Sequence, residues 1–262
     1  MPWDNSCANL PLTHYEGYKV PYGTSGFCNS AVGSTYFTEV VAGGGGPSGC
    51  AYGETNPNPN TPAVSGTCKG YAKPIWQQFI AGMPNDGVRD LPDVSLFAAN
   101  GLWGHYYSYC YSNPYPNAGG APCTGSPANW AGAGGTSFVA PILAGVQALI
   151  NQKAGERQGN PDYIYYLIAT LEYGANGNSS CASNNGGNSC VFHDITLGDI
   201  TVNCKGPFNC YDPSGPNGVL SVTSDKYSQA YAAHTGWDFA SGIGSLNVTK
   251  LVKIWADIAK LY

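Results

Sequence analysis

Residues 134–153 read GGTSFVAPILAGVQALINQK, and the reading of this stretch decides the fold. Val139, Ile142, Leu143, Val146, Leu149 and Ile150 recur at helical spacing, which predicts a helix with one apolar face. Pro141 falls in its first turn, where the missing N–H costs little. Ala140, Ala144 and Gly145 are small enough to let the helix pack closely, and Gly134 and Gly135 let backbone or ligand approach its start. Ser137 stands at that start and has two readings. Its hydroxyl can cap the helix. It can also be a nucleophile at the positive end of the helix dipole, with unpaired N–H groups nearby to stabilise an oxyanion.

Outward from this stretch, Asp162–Tyr173 is predicted as a second helix, with Tyr163, Tyr166, Leu167 and Leu171 on its apolar face. Asn247 is placed to cap a third, running to Leu261, with Leu251, Ile254, Trp255, Ile258 and Leu261 facing inward. A short helix is expected within YAKPIWQQFIAGM, residues 71–83. Strands are expected in TYFTEVVA at 35–42, in VSLFAA at 94–99 and in VFHDIT at 191–196. Residues 53–66 and 174–190 read as loops, and 198–235 as a long cysteine-containing excursion. No internal repeat is found, so residues 1–262 are taken as a single domain with an α/β core and disulfide-pinned loops.

Composition narrows the function classes. Only 10% of residues are charged, far below the usual quarter, and 36 are glycine, so neutral polar groups must carry the surface. The net charge of −5 and the lack of a Lys/Arg run leave nucleic-acid binding without support. Likewise no apolar run is long enough to span a bilayer. The ten cysteines form no CxxC pair and fall at short spacings. Sequential pairing gives 7–28, 50–68, 110–123, 181–190 and 204–210, although spacing alone does not settle connectivity. An oxidising, secreted setting follows. The opening MPWDNSC shows neither a basic n-region nor an apolar h-region.

Four ordered stretches carry a resemblance. They are GGTSFVAP at 134–141, VAGGGGPSG at 41–49 followed by YAKPIWQ at 71–77, VRDLPDVSLFAA at 88–99, and FHDIT at 192–196 with HTGWDFASGIGSLN at 234–247. Together they resemble the sedolisin (serine-carboxyl peptidase) family, of the kumamolisin-like bacterial type. Gly134 stands where that family has Ser, a departure conservative in size. The resemblance implies a subtilisin-like parallel sheet flanked by helices, of which this chain holds the C-terminal portion. It implies Ser137 as the nucleophile of an acyl-enzyme mechanism on protein or peptide substrates. It also implies one calcium ion, held by the Asp194 and Asp238 carboxylates and the carbonyls of Ile195, His234 and Gly236. In isolation, the two aspartates also read as turn caps. His234 departs from the family's usual Gly.

The family's Glu and Asp partners, and its oxyanion Asp, have no counterpart in residues 1–39. Truncation of an N-terminal third or more is therefore expected, with the missing half a candidate partner. A carboxylate base stays ionised in acid, where histidine is protonated, so an acidic working range is implied. His14, His105, His193 and His234 are the candidates for a local base, and none lies in a subtilisin-like histidine motif. Asp93 is read as structural, accepting backbone hydrogen bonds. Trp103, Tyr106 and Tyr107 are candidates to line a cleft or to pack in a core. Asn178 and Asn247 open glycosylation sequons. The alternatives to a peptidase are a non-catalytic, calcium-stabilised extracellular binding module and a secreted carbohydrate-binding protein.

Overall fold

The protein is described by a computed structural model covering residues 1–49, 70–102, 104–112, 122–186, 189–206, 209–222 and 226–258. In chain order the helices are α1 (Leu10–Tyr15), α2 (Ala31–Tyr36), α3 (Val139–Ala154), α4 (Asp162–Tyr173) and α5 (Val248–Ile258). The strands are β1 (Gly46–Pro47), β2 (Asp90–Leu91), β3 (Tyr107–Tyr109), β4 (Ala131–Ala133), β5 (Phe192–His193), β6 (Asn203–Cys204), β7 (Cys210–Tyr211), β8 (Gly218–Leu220) and β9 (Ser245–Leu246). The chain divides into two compact units, one of residues 1–95 with 150–262 and one of residues 96–149.

Every sheet among the described residues is small and antiparallel. The pairs are β1–β2, β3–β4 and β5–β9, and β6–β8–β7 is three-stranded. The architecture is thus mixed α/β, and the parallel sheet implied by the resemblance is not among the described residues. Ala182 and Asp194 form an isolated parallel bridge. Gly or Pro stands in or beside several of the short strands, as at Gly46–Pro47, Pro92 after β2 and Gly244 before β9, where it limits the ladder.

Several local expectations are corrected. Residues 71–83 hold only a single 3₁₀ turn, Ile75–Gln77, because Pro74 and Gly82 close in on both sides. Residues 94–99 form no strand, and Phe97 is 45% exposed. Residues 35–36 end helix α2, where Ser30 caps the N-terminus by accepting from Gly33 N–H at 2.9 Å. Residues 41–42 then pair with the N-terminal turn, Asn5 N–H donating to Val41 O at 2.9 Å.

α4 has the expected limits but a different buried face. Tyr163, Leu167 and Leu171 are exposed, while Tyr165, Tyr166, Ile168, Ala169 and Tyr173 are buried. In α5, Leu251 and Trp255 are fully buried and Ile254 is partly exposed; its expected last turn lies outside the described residues. Only Val146 and Ile150 of the expected α3 face are buried; Ile142 and Leu149 are exposed.

Among the described residues of unit 1, apolar side chains gather in two places. In the first, Cys7, Ala8, Leu12, Phe27, Cys28 and Val219 pack with Tyr18, Tyr22, Phe37, Tyr211 and Tyr227. In the second, the Tyr165 ring meets Phe192 at 5.9 Å and Trp255 at 5.4 Å, both edge-on. Disulfides 7–28, 110–123, 181–190 and 204–210 follow the sequential pairing. The expected 50–68 pair lies outside the described residues. No helix among the described residues is long and apolar enough to cross a membrane.

Candidate functional site

Ser137 lies in the 3₁₀ turn Thr136–Phe138, which runs directly into α3. Two glycines shape its approach. Gly135 has φ 115° and donates its N–H to Ala98 O at 2.7 Å. Gly134 is pressed against the 98–100 backbone: a Cβ there would sit 2.0 Å from Ala99 O. The Ser found at this position in the sedolisin pattern is therefore not a conservative alternative here. Residues 98–100 and 134–135 are locked together and present Ser137 on an exposed turn.

The turn uses some of the donors that sequence alone left free. Phe138 N–H donates to Gly135 O at 3.1 Å, and Val139 N–H donates to Thr136 O. Among the described residues none is hydrogen-bonded to the Ser137 hydroxyl. His105, in the same unit, is exposed, and His14, His193 and His234 belong to the other unit. Phe138 stacks on Tyr107 at 5.2 Å, and the Tyr107 hydroxyl donates to Phe97 O at 2.6 Å. Tyr106 is exposed, and Trp103 lies outside the described residues.

Unit 1 brings together Asp194, Ile195, His234, Gly236 and Asp238. Asp194 Oδ2 accepts from Gly236 N–H at 2.8 Å, and Asp238 Oδ2 accepts from His234 N–H at 2.9 Å. Asp238 Oδ1 accepts from Ala240 N–H, Ser241 N–H and the Ser241 hydroxyl at 2.7–3.0 Å, so this aspartate does organise its own turn. Gly236 has φ +84°, and a Cβ there would meet Ala81 O at 2.4 Å. Both aspartates are buried. Burial pushes the Asp194 carboxyl up to about 6, against the Gly236 hydrogen bond, and nearby Asp238 adds to the rise. Burial also raises Asp238, opposed by its own hydrogen bonds. Asp194 Oδ1 is buried without a hydrogen-bond partner. The unpaired Asp194 oxygen beside a second buried carboxylate is a hard oxygen donor of the kind calcium takes, and on that observation the residues fit such an ion.

Another group of metal-ligand type, Glu172 with Cys181 and Cys190, is already committed. The cysteines are disulfide-bonded, and the Glu172 carboxylate accepts from Val191 N–H at 2.6 Å and Phe192 N–H at 3.0 Å.

Sequence reading missed a buried polar network in unit 1. Asp93 accepts from the side chains of Arg89 and Tyr166, not from backbone donors as expected. Fully buried Gln77 donates to Tyr166 Oη at 2.9 Å and to Asp90 O at 2.8 Å, and accepts from Asp90 N–H at 3.0 Å. Lys73 pairs with Asp90 and with Asp86, the latter at 3.0 Å. The signal lay in VRDLPD and KPIWQ, charged residues set among apolar ones, but their partner Tyr166 is remote in sequence.

No family model matches the chain. Over 180 residues, 69% of its length, the chain is 27% identical to sedolisin from Pseudomonas sp. (strain 101). The matched stretch spans about a fifth of that protein's length (20%), so what the chain shares with it is a distant and partial likeness to a peptidase.

Proposed function

We propose that this chain is the nucleophile-bearing part of a sedolisin-like, serine-type endopeptidase acting in acid outside the cytosol. The observation that carries the reading is Ser137 on an exposed turn at the mouth of α3, within a chain similar to sedolisin over 69% of its length. In this reading the Ser137 Oγ attacks a peptide carbonyl, its proton passes to a base, and the amine leaves to give an acyl-enzyme that water hydrolyses. Base and oxyanion donor come from a complementary N-terminal part bearing the Glu and Asp residues. Exposed Ile142 and Leu149 on α3 support such a covering partner. Asp194, Asp238 and the carbonyls of Ile195, His234 and Gly236 hold one calcium ion. That ion would supply positive charge to two buried carboxylates and so hold the 234–241 turn against residues 194–195. The four disulfides fit an oxidising, secreted setting.

The test is complementation. The chain is co-expressed with a sedolisin N-terminal half and assayed on a peptide mixture at about pH 3–5, the range where carboxylate bases work. Cleavage that vanishes with Ser137→Ala is expected, with little or none from the chain alone. Cleavage that survives Ser137→Ala would overturn the reading. A second reading, a non-catalytic calcium-stabilised binding module, is favoured by the commitment of the Phe138 and Val139 N–H groups within the turn. It predicts calcium-dependent stability with no cleavage in any combination.

A further inference from the structure

Residues 4–10 dock on residues 199–203 through polar side chains. Leu10 N–H donates to Asp199 Oδ2 at 3.0 Å. The Ser6 hydroxyl donates to Asn203 Oδ1 at 3.0 Å and accepts from Asn203 N–H at 2.9 Å. At the centre of this junction the Asp4 carboxyl meets the Asp199 carboxyl. The two are only 5% and 1% exposed. Two carboxylates in contact and out of water cannot both stay ionised.

The surrounding donors decide which one ionises. Asp199 Oδ1 accepts from Thr201 N–H at 3.0 Å and Oδ2 accepts from Leu10 N–H, so each of its oxygens has a backbone donor. Asp4 Oδ1 accepts only from Ser6 N–H, at 2.8 Å, among the described residues. Asp4 Oδ2 is buried without a donor. An ionised oxygen left unpaired there is costly, whereas a protonated one facing a carboxylate is satisfied. The geometry points to Asp4 as a carboxylic acid whose Oδ2–H donates to the Asp199 carboxylate, a one-proton latch that fastens the N-terminal turn to residues 199–203 and loosens in alkali.

The electrostatics agree. Burial above all, with Asp199 adding to it, pushes Asp4 up to about 9. Asp199 is also raised by burial, but its hydrogen bonds pull it back. Tyr227 lies within electrostatic reach of both carboxyls, and its ring is 4.7 Å from that of Tyr22. Burial raises the Tyr227 phenol, which therefore stays neutral while Asp4 titrates. The folded chain holds the Asp4 proton more tightly than the unfolded chain does. The contribution is therefore full below about pH 4 and fades until about pH 9. This inference does not rest on the peptidase reading.

The test compares melting temperature against pH for the full chain and for Asp4→Asn, whose amide can donate to Asp199 and accept from Ser6. The two should melt together near pH 4, with the parent falling progressively below the variant towards about pH 9. Asp199→Asn, which sets an amide against two backbone donors, should melt lower at every pH. If Asp4→Asn fails to fold, the infrared band of a protonated carboxyl in the parent decides; it should persist at neutral pH and disappear near pH 9. Parallel pH profiles, no such band at neutral pH, or a cation retained through dialysis and lost in Asp4→Asn would overturn the latch.

Discussion

At Gly134 the absence of a side chain is a steric requirement. With its virtual Cβ 2.0 Å from Ala99 O, Gly134→Ser must push residues 98–100 away from the Ser137 turn. We expect a loss of about 1–3 kcal/mol of stability, read by urea unfolding. A variant as stable as the parent would show that the two segments separate freely. Gln77 is a second constrained residue, since both ends of its amide are used and its side chain is fully buried. Gln77→Ala leaves the Asp90 backbone groups and the Tyr166 hydroxyl short of partners, at a cost of about 3 kcal/mol. Both positions were visible as letters in the sequence. What made them constrained, a carbonyl 35 residues away from Gly134 and a phenol 89 residues away from Gln77, was not.

The helices show what spacing can and cannot determine about an element. The limits of α4 were legible because its apolar residues run uninterrupted from Tyr163 to Ala169 and resume at Leu171, with Gly174 ending the helix. Its buried face was not, because Tyr occurs on both sides. The side packed on Phe192 and Trp255 is chosen by those partners. α5 was easier: Asn247 Oδ1 accepts from Lys250 N–H at 3.1 Å, and Leu251 and Trp255 lie one turn apart. Asn247→Ala should cost about 1 kcal/mol and Trp255→Ala about 3–5 kcal/mol. Helical circular dichroism during thermal melts checks both; equal costs would contradict the burial of Trp255.

Several wholly or partly buried carboxyls of the molecule lean the same way. Asp162 and Asp194 are both pushed up to about 6, burial being the largest cause in each. Each holds its proton more tightly when folded, so its contribution is full below about pH 4 and is lost as pH rises towards about 6. Thermal melts across pH should therefore place maximum stability on the acid side, and a maximum at pH 7 or above would contradict this. Calcium should reverse part of the loss, since it binds only deprotonated carboxylates. Calcium against EDTA should raise the melting temperature at pH 7 more than at pH 4, and Asp194→Asn should remove the increment. An EDTA-insensitive melt would exclude the site.

The sequence by itself determined the local features of this protein. These are the α3, α4 and α5 helices, the short cysteine spacings that favour the pairs 7–28, 110–123, 181–190 and 204–210 without settling them, and the motif order whose resemblance implies the grouping of Asp194 with Ile195, His234, Gly236 and Asp238. Each is written in periodicity, in near-neighbour spacing or in an ordered motif, and so survives without knowledge of distant contacts. Only the tertiary structure decided which helix faces are buried, that the strands pair antiparallel in short ladders, and that Asp4 meets Asp199. Those outcomes depend on which surfaces exclude water together, and burial between residues far apart in the chain leaves no periodic mark in the sequence.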